Sequence, residues 1–267
     1  MMVTMALGAS AMASDAPREQ VIPIVIRIQR ADYEGDRAAL MRLNGELAPF
    51  VDDQELTSRV RYWRGFALWR RAMNGFNDKV DQAELRNDMQ HALDEFNAST
   101  GKDAAFVDAK IGALSCLGFL VFSDPQHDLA SPQAQELLSR ARQLRKEIEA
   151  AAPENPRFLW VMGPMIWYAP AERGGGQDKA MAGYEKGLES IRKQGKAASD
   201  PLEPSWGEPE LLMSLAWSNL NRSTPDFKAA KEDAEAALRL ISYWHYVRDI
   251  LLKQIREAEA NQQRKLF

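Results

Sequence analysis

The sequence predicts an all-α protein of about eleven helices, most of them paired into antiparallel hairpins by short turns. Apolar residues recur at helical spacing along most of the 267-residue chain. Short clusters of polar residues, glycine and proline separate these stretches, which is typical of helices joined by turns. No segment sustains the two-residue alternation of a half-buried strand, so no sheet is expected.

Six helices are predicted in the first part of the chain. They span residues 18–33, 37–50, 57–76, 81–98, 103–122 and 132–152. Asp36 and Ser131 are of the type that caps a helix N-terminus, and Pro132 suits the first helical position. Pro23 is expected in the first turn of its helix or at a kink, and residues 99–101 are predicted to form a turn. The helix 103–122 is apolar nearly all round, which predicts burial between neighbours.

Five further helices complete the predicted fold. They span residues 157–168, 178–194, 210–221, 226–241 and 243–262. Gly163 and Pro164 predict a distortion inside the first of these helices. A long polar connector, residues 195–207, follows the helix 178–194. Residues 14–267 are therefore predicted to form a single helical domain.

The first thirteen residues predict a different role. Residues 1–11 are uncharged and rich in apolar side chains, and Ala11, Met12 and Ala13 form a small-x-small cleavage pattern before Ser14. Residues 1–13 are thus predicted to be the remnant of a secretory signal peptide, which indicates a periplasmic or secreted protein. A disordered apolar tail on a cytoplasmic protein is the alternative. No other segment approaches the roughly 20 apolar residues that span a membrane.

Composition argues against several classes of function. The formal net charge is -4, whereas a protein that binds nucleic acid usually has a strongly basic surface.

His91, His127 and His245 do not stand in a metal-binding motif, so neither a metal nor another cofactor is predicted. Cys116 lies in an apolar stretch and is interpreted as a buried thiol. Residues 174–176 form a glycine-rich turn without the remaining residues of a phosphate-binding loop. No catalytic residue is predicted, and the chain is expected not to be an enzyme.

Small and aromatic residues recur at fixed positions in the paired helices. The second helices carry Ala92, Phe96 and Ser99, then Ala180, Tyr184 and Gly187, then Ala230, Ala234 and Ala237, while the first helices carry Gly65, Gly163 and Ala216. Small side chains allow two helices to approach closely where they cross. Over residues 57–241 this pattern resembles the tetratricopeptide repeat, a helix-turn-helix unit of about 34 residues. The resemblance implies a right-handed solenoid and a divergent bacterial member of that superfamily.

Arginine and aromatic residues form the strongest candidate binding surface. They are Arg59, Tyr62, Trp69 and Arg70 in the third helix, and Arg157, Trp160, Trp167 and Tyr168 in the seventh. Both sets have the same separations, which places each on one broad helical face. In tetratricopeptide proteins these positions line the concave groove, and the resemblance implies that role here. Arginine and aromatic groups suit carboxylates, extended peptides or flat ligands. The alternative is structural, with aromatic side chains in the core and arginines paired with acids of neighbouring helices.

The function predicted from the sequence is that of a non-catalytic scaffold which binds a protein or peptide partner along its concave face. The alternative is a periplasmic solute-binding protein, which would enclose a small acidic or aromatic ligand between the two arginine and aromatic faces. An open groove favours the first function, and an enclosed cavity favours the second.

Overall fold

A computed structural model describes residues 10–124, 128–195 and 200–265, with the backbone alone for residues 10–15, 194 and 265. Over these residues the chain contains eleven α-helices and no strand, which confirms the all-α prediction. The helices are α1 (Ser10–Glu34), α2 (Arg37–Glu46), α3 (Thr57–Asn77), α4 (Gln82–Lys102), α5 (Val107–Phe122), α6 (Pro132–Ala151), α7 (Pro156–Tyr168), α8 (Gln177–Gln194), α9 (Glu208–Asn221), α10 (Phe227–Leu240) and α11 (Leu252–Lys265). A π-helical turn, Tyr246–Leu251, leads into α11. None of the described helices is both long and apolar enough to cross a membrane.

Local chemistry explains several helix ends. The carboxylate of Asp36 accepts a hydrogen bond from the backbone N–H of Ala39 at 2.8 Å, and the hydroxyl of Ser131 accepts one from Ala134 at 3.2 Å. Both predicted caps are thereby confirmed. The second predicted helix is shorter than expected, because Pro49 lacks an N–H and lies in a separate 3₁₀ turn, Ala48–Phe50.

Two local predictions were wrong. α1 begins at Ser10 rather than at residue 18, so Pro23 lies in the interior of the helix and not in its first turn. Residues 99–101 do not form a turn, because α4 continues to Lys102. The Ser99 hydroxyl is buried and donates a hydrogen bond to the Ser58 carbonyl oxygen at 2.8 Å. A serine satisfied in this way has no need to leave the helix.

The helices pack in chain order. The most extensive contacts join α3 with α4, α7 with α8, and α9 with α10, and α5 packs on α6. The odd-numbered helices also adjoin one another, since α1 contacts α3, α3 contacts α5, α5 contacts α7 and α7 contacts α9. These five odd-numbered helices therefore form one continuous layer, which carries the surfaces described below.

The core is centred on α3. Its side chains Tyr62, Trp63, Phe66 and Trp69 are among the largest that are fully buried. Each large apolar side chain that leaves water contributes about 1.5–3 kcal/mol. The predicted burial of the fifth helix is also confirmed, and Cys116 on that helix is a free, buried thiol whose pKa is raised by burial.

The C-terminal part of α1 packs against the segment that precedes α11. Tyr33, near the end of α1, packs edge-on against Trp244, with ring centroids 5.1 Å apart. The guanidinium of Arg30 lies 5.2 Å from the centroid of the Tyr243 ring. α1 therefore contacts both α3, its neighbour in the helical layer, and the segment that precedes α11.

Glycines stand at the helix crossings, as the sequence pattern predicts. A Cβ atom at Gly65 would lie 3.0 Å from Phe96, and one at Gly163 would lie 2.1 Å from Tyr184. A Cβ atom at Gly112 on α5 would lie 2.4 Å from the same Phe96 ring. Phe96 is fully buried and is thus held between glycines of α3 and α5. The close approach of these helices depends on the absence of side chains on both sides.

We expect Gly112→Ala to lower the free energy of unfolding by about 1–3 kcal/mol, because the added methyl group overpacks a ring that cannot move aside. Gly118→Ala on the same helix is the matched control. Nothing lies within 4 Å of its added methyl group, so the higher helix propensity of alanine should raise stability by about 0.5–1 kcal/mol. Urea denaturation followed by circular dichroism measures both. Equal stability of the two variants would contradict the packing role of Gly112.

Candidate functional site

The four predicted residues of α3 lie on the interior side of the fold. Tyr62 and Trp69 have no exposed surface, and the side chain of Arg70 is 6% exposed. Arg59 is partly exposed and is neutralised by two carboxylates, Asp103 and Glu203, each at 2.6 Å. A partner therefore has no access to Tyr62, Trp69 or Arg70 in this arrangement.

Residues 200–206, which we call the connector segment, cover this side of α3. The indole N–H of Trp206 donates a hydrogen bond to the Tyr62 hydroxyl at 2.8 Å. The rings of Trp206 and Trp69 lie 5.5 Å apart, edge to face. The indole N–H of Trp63 donates to the carbonyl oxygen of Leu202 at 2.8 Å. Leu202 and Trp206 are both buried, so the predicted binding face already holds a piece of the same chain.

Arg157 on α7 holds the end of the connector segment. It donates to the carbonyl oxygen of Trp206 at 3.2 Å and to Asp108 on α5 at 3.0 Å. At the other end, Arg18 on α1 pairs with Asp200. Trp160 on α7 completes the enclosure, with its ring 5.6 Å from that of Trp206. We call the set Arg18, Arg59, Tyr62, Trp63, Trp69, Arg157 and Trp160 the arginine–aromatic face.

The other predicted residues of α7 line an open cavity. Tyr168 is 75% exposed, and Trp167 packs edge-on against Trp217 of α9 at 5.3 Å. The cavity, here called the aromatic cleft, has a volume of about 300 Å³. Its lining residues are Met73, Ser115, Trp160, Val161, Pro164, Trp167, Tyr168, Tyr184, Met213, Ser214 and Trp217. Trp160 is shared, since it contacts Trp206 on one side and lines the aromatic cleft on the other.

The lining of the aromatic cleft is neutral. None of its residues is an acid, a lysine or an arginine. Burial raises the pKa of Tyr184 to about 12, so its phenol keeps its proton at physiological pH. The Ser214 hydroxyl accepts a hydrogen bond from the indole N–H of Trp160 at 3.0 Å. The cleft thus offers aromatic surface with few polar groups, which suits apolar or aromatic groups.

Two exposed aromatic side chains lie on helices that line the aromatic cleft. Phe76 lies one turn beyond Met73 on α3, and Phe122 lies two turns beyond Ser115 on α5. Both are exposed, Phe122 by 65%. The Phe76 ring packs edge-on against Phe119 at 5.0 Å, which joins the two helices at this rim.

Arg70 belongs to a buried charge cluster that the sequence did not reveal. Its guanidinium lies 2.7 Å from the carboxylate of Asp32 on α1 and 3.8 Å from that of Glu210 on α9. Glu210 also accepts hydrogen bonds from the Tyr33 hydroxyl and the Gly207 N–H, each at 2.9 Å. Burial opposes the charge of Arg70, but the two carboxylates together raise its pKa. Burial raises the pKa of Glu210 because it disfavours the charged carboxylate, and the neighbouring Asp32 carboxylate raises it further.

Sequence reasoning missed the connector segment and both acids of this cluster. Residues 195–207 were interpreted as a polar connector, although Leu202 and Trp206 within it are bulky and apolar. Asp32 stands in α1 directly before the buried Tyr33, and an acid at a buried position generally has a partner. The apolar residues of the connector were visible in the sequence, whereas their partners on α3 and the burial of Asp32 appear only in the structure.

Away from the aromatic cleft, His245 lines a smaller cavity of about 100 Å³ together with Glu34 and Asn74. The side chain of His245 is partly exposed and its Nδ1 lies 2.8 Å from Asp249, whereas His127 lies outside the described residues. Gly174 and Gly176 have positive φ and join α7 to α8. In the part of the chain that the structure describes, no three potential ligand side chains cluster as they would around a metal ion.

Comparisons with known proteins give no family for the chain. No protein-family model matches it, and no curated protein does either.

We expect Arg70→Ala to destabilise the protein by about 3–5 kcal/mol, because it leaves Asp32 and Glu210 buried without a cation. Arg59→Ala is the comparison, since its partly exposed ion pairs should contribute about 1 kcal/mol or less. Thermal and urea unfolding of the single variants measure the difference. If both losses were equally small, Arg70 would not be a structural cation.

Proposed function

We propose that the protein is a non-catalytic scaffold of tetratricopeptide-like helical hairpins that binds a protein or peptide partner in the aromatic cleft. The observation that carries the proposal is the cleft itself, an open cavity of about 300 Å³ lined by aromatic side chains. Its neutral, aromatic walls supply contact area but no group arranged for acid–base or nucleophilic chemistry.

A right-handed solenoid is part of the proposal. The packing of hairpins in chain order and the adjoining odd-numbered helices support it. So do the glycines at the crossings, Gly65 against Phe96 and Gly163 against Tyr184. In such a solenoid the first helices of the hairpins line the concave side, which here would carry both the aromatic cleft and the arginine–aromatic face.

The exposed rim favours a protein or peptide over a free solute. A cavity of about 300 Å³ lies at the lower end of the range for small-ligand pockets. Phe76, Phe122 and Tyr168 are exposed on helices that line the cavity, and exposed apolar side chains grouped near a cavity are typical of interaction sites. Aromatic residues also dominate the energetics of protein interfaces. A partner that places one or two apolar side chains in the cleft can cover this rim with the rest of its chain.

Binding of a small molecule is the second candidate function. The residues that line the aromatic cleft limit the chemical class of that ligand. An acidic ligand is disfavoured, because Arg59, Arg70 and Arg157 are all engaged by carboxylates of the protein and none lines the cleft. A neutral aromatic or apolar solute fits the lining. This narrows the class of solute that the sequence suggested.

We expect peptides selected from a random display library on this protein to be rich in Trp, Phe and Leu and to bind in the aromatic cleft. Tyr168→Ala should weaken a selected peptide about tenfold, since an interfacial aromatic contributes about 1–2 kcal/mol. Tyr168 is exposed, so its loss should leave the fold intact. The matched control is Ile26→Ala, an exposed apolar residue on α1. Fluorescence titration measures affinity. Equal affinity for wild type and the Tyr168→Ala variant would contradict the proposed site.

An exported location belongs to the same proposal and rests on the small-x-small pattern at Ala11, Met12 and Ala13. Residues 1–9 of the predicted signal peptide lie outside the described residues. We expect the protein expressed in bacteria from its natural start to be cleaved before Ser14. Its intact mass should then match that of residues 14–267. An unprocessed mass recovered from the cytoplasm would contradict export.

A further inference from the structure

We infer that the arginine–aromatic face is a second peptide-binding site, occupied in this structure by the connector segment as an internal ligand. An external peptide with the same chemistry, acidic residues followed by proline and a terminal tryptophan, binds this face when the connector segment leaves it. The inference does not rest on the aromatic cleft, which is a separate cavity across Trp160.

The contacts are those of a receptor with an extended peptide. Side chains of the face donate hydrogen bonds to backbone carbonyl oxygens of the segment, from Trp63 to Leu202 at 2.8 Å and from Arg157 to Trp206 at 3.2 Å. Leu202 and Trp206 act as buried anchors. Anchors in pockets together with bonds to the ligand backbone are the general mode of peptide recognition.

Charge on the two sides is complementary. The connector segment carries two acids, Asp200 and Glu203, and no base. Asp200 pairs with Arg18, and Glu203 lies 2.6 Å from Arg59. The two arginines come from different helices, which fixes the distance between them. The face therefore favours peptides whose acids have the matching separation.

The connector segment has the conformational properties of a peptide ligand. It lies outside every helix, and the backbone hydrogen bond from the Glu203 N–H to the Asp200 carbonyl oxygen, at 2.9 Å, is local to the segment. Pro201 and Pro204 limit its unbound conformations, which lowers the entropy lost on binding. Because no helix ladder has to be broken, another peptide of the same pattern can take its place.

The fit of the internal ligand is incomplete. The indole N–H of Trp69 is buried beside Trp206 and has no hydrogen-bond partner among the described residues. A buried donor without a partner is a cost that a better ligand can remove. An external peptide with an acceptor at this point gains a contact that the connector segment lacks.

Tethering gives the connector segment a large advantage over a free peptide. A ligand linked to its site through a short tether has an effective concentration of about 1 mM. A peptide with an intrinsic Kd of about 10 µM would therefore bind the intact protein about 100-fold more weakly than the vacated face. The connector segment thus sets a threshold, so that only a strong or abundant partner reaches the face.

The test uses the full-length protein and a synthetic peptide with the sequence of residues 200–206, blocked at both ends. Trp206→Ala removes the main anchor of the tethered segment. We expect this variant to bind the peptide about 100-fold more tightly than wild type in isothermal titration calorimetry. A peptide with lysine in place of Glu203 should bind about tenfold more weakly, and Arg59→Glu in the same variant should restore its affinity. Adding Tyr168→Ala should change nothing, because Tyr168 lies in the aromatic cleft.

Three results would overturn the inference. They are a folded Trp206→Ala variant that does not bind the peptide, equal affinity of wild type and variant, and loss of binding on Tyr168→Ala. The last two place the peptide elsewhere and leave the proposed function standing.

Hydrogen exchange on the wild-type protein tests the inference if Trp206→Ala fails to fold. The amides of residues 202, 203, 205 and 206 should exchange through a local opening, at least tenfold faster than those in the middle of α3. Glu203→Lys should accelerate that exchange further without changing α3. Exchange of the segment only together with α3 would show that it is a permanent part of the core.

Discussion

Burial of the Arg70 charge is the constraint on which much of the arrangement depends. α3 crosses the centre of the core, and its aromatic side chains pack on several sides, so the Arg70 side chain is almost entirely removed from water. A buried cation needs carboxylates within contact distance, and these come from α1 and α9. Meeting that need holds the beginning and the end of the helical layer against its middle. The Gly207 N–H, which bonds to Glu210, fixes the start of α9 and hence the exit of the connector segment.

The layer of odd-numbered helices carries two surfaces that differ in their access to solvent. One surface is closed, because the connector segment fills the arginine–aromatic face. The other is open and forms the aromatic cleft. Trp160 separates them, with Trp206 on one side and the cavity on the other. The two arginine and aromatic sets look equivalent in sequence, yet one is used within the chain and the other is partly available to a partner.

Features that depend on nearby residues were predictable from the sequence. Helical periodicity placed the eleven helices, capping residues placed several ends, and glycine spacing indicated where α3 and α7 are approached closely. The sequence did not predict that the connector segment fills the arginine–aromatic face, because its contacts join residues that are distant in the chain. Asp32 and Arg70 are 38 positions apart, and Arg59 and Glu203 are 144 apart. An arginine pattern is the same whether its carboxylate comes from a partner or from the same chain, and only the fold distinguishes the two.

The contact between Tyr33 and Trp244 has a consequence for how the molecule folds. In a linear array of repeats each unit touches only its neighbours, so parts of the array melt separately and folding starts at any unit. Here α1 also packs on the segment that precedes α11. That contact forms only after the intervening chain is in place. Contacts across such sequence separation slow folding, since a long loop has to close before they form. They also couple the two elements, so loss of α1 should weaken the packing of the segment that contains Trp244.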